Sequence, residues 1–148
     1  MSATSPLDIL RDLAQRSLDD AATRLGKMRQ AHREAVSQHD TLLKYQAEYR
    51  DYLQRAASGE GISVINLMNY GAFIHALGNA VEQHRSHVAA CQAAVDRALS
   101  AWRQDKQRFN AFCSLKMRAD AALMLQQNRQ EQKMMDEYAQ RASLRKEK

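Results

Sequence analysis

From Leu67 to Phe112 the chain keeps a seven-residue apolar beat almost without interruption. Leu67, Tyr70, Ile74, Leu77, Val81, His84, Val88, Cys91, Val95, Ala98, Trp102, Asp105, Phe109 and Phe112 follow one another at alternating steps of three and four, and only His84 and Asp105 are not apolar. On an α-helix this spacing forms a stripe that winds slowly around the axis, and only another helix lying alongside can bury it. A chain patterned in this way folds into long paired helices. Nothing in the pattern builds a catalytic pocket.

The same beat runs more weakly through the first third, as Leu18, Ala21, Leu25, Met28, His32, Ala35, His39, Leu42, Gln46, Tyr49 and Leu53. Ser5 is a suitable N-cap, Pro6 suits the first helical position, and Asp8 suits the positive end of the helix dipole. The spacing predicts a helix over about residues 6–57, a turn over 58–63, a second helix over about 64–140 and a basic tail over 141–148, all in one coiled-coil domain. Gly59 and Gly61 end the first helix and supply backbone angles with φ > 0; Ser63 or Asn66 caps the second. The expected lengths are on the order of 75 Å and 110 Å at 1.5 Å per residue. A short turn makes the pair antiparallel, with facing positions whose numbers sum to roughly 120. Leu53 then falls near Leu67, Leu25 near Val95 and Leu18 near Trp102. The fold class is therefore all-α: a long antiparallel two-helix coiled-coil hairpin with a C-terminal helical overhang. In that overhang Lys116, Gln126 and Gln130 replace apolar seam residues, and Leu123, Met134, Met135 and Tyr138 remain as isolated anchors.

Charge is placed unevenly. Residues 1–102 balance, and the whole formal excess of +5 falls on residues 103–148. A localised basic segment suits an acidic partner surface or a solvated helix face. A nucleic-acid-binding coiled coil would carry a continuous basic region feeding into its zipper, whereas Asp136 and Glu137 interrupt this one. No phosphate-cradling glycine loop and no paired cysteine motif is present. His84 and His87, at i,i+3, could contribute two ligands to a metal; without a third ligand, fixing the register of the seam is the favoured role. The expectation is no catalytic residue, no cofactor and no metal. No apolar run reaches membrane-spanning length and no secretory leader is visible, and Cys91 and Cys113 lie too far apart on one helix to bridge, so a reducing compartment is expected.

Near the turn the apolar surface exceeds what one seam can bury. Tyr45, Tyr49 and Tyr52 gather three of the five tyrosines, and Tyr45 and Tyr52 lie off the stripe. Phe73, Leu77, Ala80 and His84 form a second stripe displaced by about one position from the main one. This surplus is either a docking surface or a locally wider contact where the turn folds back. Gly71 and Gly78 weaken the helix there and allow close approach of another backbone.

The strings Leu10-Arg11-Asp12-Leu13-Ala14, Asp19-Asp20-Ala21-Ala22, Tyr45-Gln46-x-Glu48-Tyr49-Arg50, Asn69-Tyr70 followed by Phe73-Ile74, and Gln83-His84-Arg85 resemble the flagellar FliJ family, and the likeness spans nearly the whole chain. Ala101-Trp102-Arg103, Lys106-Gln107-Arg108, Asn128-Arg129 and Lys133-x-Met135-Asp136-Glu137-x-Ala139-Gln140-Arg141 extend the likeness. Tyr45, Glu48, Trp102, Asp136 and Gln140 make it more specific than shared periodicity would. The resemblance implies a cytoplasmic component of the flagellar type III export apparatus, peripheral to the inner face of the cell membrane and not inserted in it. It implies a stalk-like hairpin that associates with the hexameric export ATPase, contacts the cytoplasmic domain of the transmembrane export gate and escorts substrate chaperones. By similarity the gate-facing surface comprises Gln38, Leu42, Tyr45 and Tyr49 with Phe73, Leu77, Ala80 and His84. The ATPase-facing residues are expected to be Arg129, Lys133 and Arg141 of the basic overhang. A holdase-like chaperone for export substrates is an alternative expectation.

Overall fold

The computed structural model describes residues 5–59, 61 and 63–146. Two helices, α1 (Pro6–Ser58) and α2 (Val64–Lys146), account for almost all of these residues and pack against each other, with no strand among them. The start of α1 is fixed reciprocally. Ser5 Oγ accepts the Asp8 N–H at 3.2 Å, and the Ser5 N–H donates to Asp8 Oδ2 at 3.3 Å. The end of α1 is closed by the Gly59 N–H on the Arg55 carbonyl at 3.0 Å and by Ser58 Oγ–H on the same oxygen at 3.1 Å. Of the two turn glycines only Gly61 adopts a positive φ, at 72°; Gly59 does not. Glu60 and Ile62, also in the expected turn, lie outside the described residues. Ser63 rather than Asn66 caps α2, its Oγ accepting the Asn66 N–H at 3.2 Å.

Helix α2 continues past the expected end near residue 140 to Lys146. The sequence there holds no breaker, and Arg145 and Lys146 in the last turn favour the negative end of the dipole. The rest of the expected tail, 147–148, lies outside the described residues.

Contacts group the chain into two compact units, Met1–Leu18 with Gln104–Lys148 and Asp19–Arg103, each built from both helices. In the Asp19–Arg103 unit the buried side chains are Leu25, Ala35, Val81 and Ala98. Around them the seam positions from Ala21 to Gln46 and from Tyr70 to Trp102 are half-buried at the expected three-four beat. Tyr49 packs on Phe73 and Tyr52 on Tyr70. These antiparallel pairs sum to 122, within half a heptad of the expected register of roughly 120. One departure lies at the turn: Leu67, expected in the seam beside Leu53, is 45% exposed. Tyr49 also leaves the seam, at 40% exposure, and stands at its edge against Phe73.

In the other unit Ala14 is buried, with Leu18, Phe109 and Phe112 half-buried around it. Asp105, which interrupts the apolar beat, accepts a hydrogen bond from Ser17 Oγ at 3.1 Å. Lys116 Nζ reaches Asp8 Oδ1 at 2.9 Å and Asp120 Oδ1 at 3.3 Å. Beyond Lys116 every described residue of α2 is exposed. Leu123, Met134, Met135 and Tyr138 are therefore exposed instead of serving as anchors among the described residues, at 54% to 77%.

Candidate functional site

Near the turn the two helices present aromatic rings on one side of the seam. Tyr49 and Phe73 meet edge to face, centroids 4.8 Å apart, and Tyr52 and Tyr70 meet tilted at 5.7 Å. Both separations lie in the range where ring quadrupoles attract. A hydrogen bond with Tyr52 pushes the Tyr70 hydroxyl above its usual value of 10.0, so the phenol stays protonated at any physiological pH. The rings leave two open clefts that share Tyr49 and Tyr70. One, of about 430 Å³, is lined by Tyr49, Asn66, Asn69, Tyr70 and Phe73. The other, of about 320 Å³, is lined by Glu48, Tyr49, Tyr52 and Tyr70.

Farther from the turn, Gln38, Leu42 and His84 line a third cleft of about 300 Å³ together with Ser37 and Thr41. The sequence-expected surface is thus brought together in two places, Tyr49 with Phe73 and Gln38 and Leu42 with His84. Tyr45 is 50% exposed on the face of α1 that Gln38, Leu42 and Tyr49 share. Leu77 and Ala80 are half-buried on the facing stretch of α2. Both expected off-seam tyrosines, Tyr45 and Tyr52, are exposed. Glu48, Asn66, Asn69 and Tyr70 also line the clefts. Tyr70 was hidden from sequence reasoning by its seam position, and the polar three have no periodicity to mark them.

His84 lies T-shaped against His87 at 5.9 Å, and His87 Nε2 sits 3.7 Å from Cys91 Sγ. The buried Nδ1 atoms of His39 and His84 have no hydrogen-bond partner among the described residues. No group of three His, Cys, Asp or Glu side chains among those residues converges to hold a metal ion.

Arg129, Lys133 and Arg141 stand exposed on the last third of α2. None pairs with an acidic side chain among the described residues. Arg129 and Lys133, one turn apart, share a face, while Arg141 projects about a third of a turn around from Arg129. Exposed Met124, Leu125, Met134 and Met135 lie between and beside them. The arrangement offers contact surfaces of two kinds, an aromatic face near the turn and a basic-apolar helix beyond Lys116. No described helix is long and apolar enough to cross a membrane.

The model of the flagellar FliJ protein family matches residues 3–148. The chain is 44% identical over 146 residues to the flagellar FliJ protein of Salmonella typhi, covering 99% of both chains. It is 42% identical over 146 residues to that of Escherichia coli strain K12, again over 99% of each. With a full-length match of this kind joined to a paired-helix fold, the chain belongs to the flagellar FliJ family and is a component of flagellar protein export.

Proposed function

We propose that the chain works without chemistry of its own, as a cytoplasmic stalk that binds the hexameric export ATPase, touches the cytoplasmic domain of the transmembrane export gate and escorts substrate chaperones. The observation that carries this reading is that the chain has two uncovered surfaces of different chemistry, one in each compact unit. The Tyr49–Phe73 face and the exposed segment beyond Lys116 belong to different compact units, and α2 runs unbroken from one to the other. Gln38, Leu42, Tyr45, Tyr49, Phe73, Leu77, Ala80 and His84 form the gate surface. Arg129, Lys133 and Arg141 are the ATPase contact, where guanidinium and ammonium groups suit an acidic partner. The mechanism is mechanical and allosteric: each partner biases the conformation of the other through the continuous helix.

The test uses two variants. Tyr49→Ala with Phe73→Ala lowers capture of the gate's cytoplasmic domain and slows swimming while circular dichroism remains helical. Removal of residues 129–148 abolishes stimulation of the export ATPase. Normal export from the double variant overturns the gate surface, and undiminished stimulation after truncation overturns the ATPase contact.

A further inference from the structure

The cleft of Glu48, Tyr49, Tyr52 and Tyr70 is framed differently from the rest of the apolar surface. Three tyrosine rings border it and one carboxylate stands at its edge. Among the described residues Glu48 forms no ion pair, although the nearby Asp51 is held by Arg55. The rings pack on one another, Tyr49 against Phe73 and Tyr52 against Tyr70. Electron-rich aromatic faces beside an unpaired carboxylate match a cation, and a planar one stacks on tyrosine better than a compact ammonium. The volume of about 320 Å³ admits one long side chain. Next to it the larger cleft carries the side-chain amides of Asn66 and Asn69, donors and acceptors suited to the main chain of an extended segment.

We propose that this cleft is a receptor for an arginine side chain on an extended partner segment, the guanidinium lying against Tyr49, Tyr52 and Tyr70 and paired with Glu48, with Asn66 and Asn69 meeting the adjoining peptide. The proposal rests on the reading of the aromatic face as the gate-facing surface and names the chemistry that the face selects. It adds Glu48, Tyr52, Tyr70 and the two asparagines to that surface.

The experiment is a titration of the full chain, with its tyrosine rings isotopically labelled, by N-acetyl-arginine amide, its neutral isostere N-acetyl-citrulline amide and N-acetyl-leucine amide, followed by NMR. Tyr138, 77% exposed on the far part of α2, is the internal control. Arginine amide shifts the Tyr49, Tyr52 and Tyr70 resonances saturably and leaves Tyr138 unmoved. Glu48→Gln weakens that response about three- to fivefold with an unchanged helical spectrum. Tyr52→Leu does the same without touching the charge. Equal responses to arginine and citrulline amides, or no effect of Glu48→Gln, overturn the proposal. A stronger response to leucine amide also overturns it and assigns the cleft to an apolar side chain. Because the probe is a single amino acid, failure here leaves gate capture by the whole face to be judged by its own assay.

Discussion

At the scale of single residues, two polar interruptions of the seam, Asp105 and Lys116, turn out to be links between the helices. Asp105 looks like a flaw in an apolar stripe until Ser17 is seen donating to it, and Lys116 looks like the end of the seam until it is seen bridging to Asp8. Neither partner could be read from the chain. Ser17 and Asp8 lie off the main apolar stripe, and their pairing depends on a register that spacing sets only to about half a heptad. The Lys116 ammonium, through its hydrogen bond, holds the Asp8 carboxyl below its usual value of 3.8; Asp8 in turn raises Lys116 above its usual 10.5. A depressed carboxylate stabilises the fold above its unfolded-state value and loses that contribution as pH falls through the folded value. A raised lysine stabilises below its unfolded-state value and loses it as pH rises through the folded one. The pair therefore acts between about pH 4 and 10. Asp8→Asn, which keeps an acceptor for the Ser5 N–H, lowers the urea midpoint at pH 7. The gap to the parent closes as the pH falls through the depressed value of the Asp8 carboxyl. A gap that persists at low pH would assign the loss to the helix cap instead of the ion pair.

Helix by helix, the period of the seam carried most of the information. Ala21 to Gln46 on α1 and Tyr70 to Phe112 on α2 are buried or half-buried at the positions that spacing selects. Departures cluster at the turn, where Leu67 and Tyr49 are exposed, because there the outcome depends on which residue lies opposite and not on period. The turn itself rests on few groups. Gly61 occupies a left-handed backbone angle and Ser63 supplies the only side-chain cap of α2 among the described hydrogen bonds. Gly61→Ala destabilises the hairpin by about 1 kcal/mol through the steric cost of φ > 0. Ser63→Ala costs about 1 kcal/mol by leaving an amide of the first turn unpaired. Chemical denaturation of both variants measures these losses. The opposite end of α2 is exposed all round among the described residues, and propensity alone holds an isolated helix only marginally. Amide hydrogens of residues 120–146 consequently exchange orders of magnitude faster than those around Leu25, Ala35, Val81 and Ala98. Comparable protection of the two sets would show that the exposed segment is covered by something, a second copy of the chain being the first candidate to check by sedimentation.

For the molecule as a whole, the aromatic face and the basic segment ask to be used by different partners, since one is uncharged over most of its area and the other is cationic. The charge asymmetry was plain in the sequence, as was the surplus of aromatic residues near the turn. What the sequence left hidden was the division of that aromatic surface into clefts, because side chains from both helices line each one. If the two surfaces communicate, α2 is the element that carries the signal, for it alone contributes heavily to both. Ala111 is an exposed helix position lying between them. Proline there removes one backbone hydrogen bond and kinks the helix, at a local cost of about 3 kcal/mol, without touching either surface. Capture of the gate's cytoplasmic domain and of the ATPase by Ala111→Pro, each measured alone, stays near the parent level. Export and swimming in cells that carry the variant fall severalfold, because two partners that bias one another through a shared helix lose a coupling of about 1–3 kcal/mol when it is broken. Parent-level swimming by a variant shown to be kinked would mean that the two contacts act independently, and that the helix between them is a tether and not a transmitter.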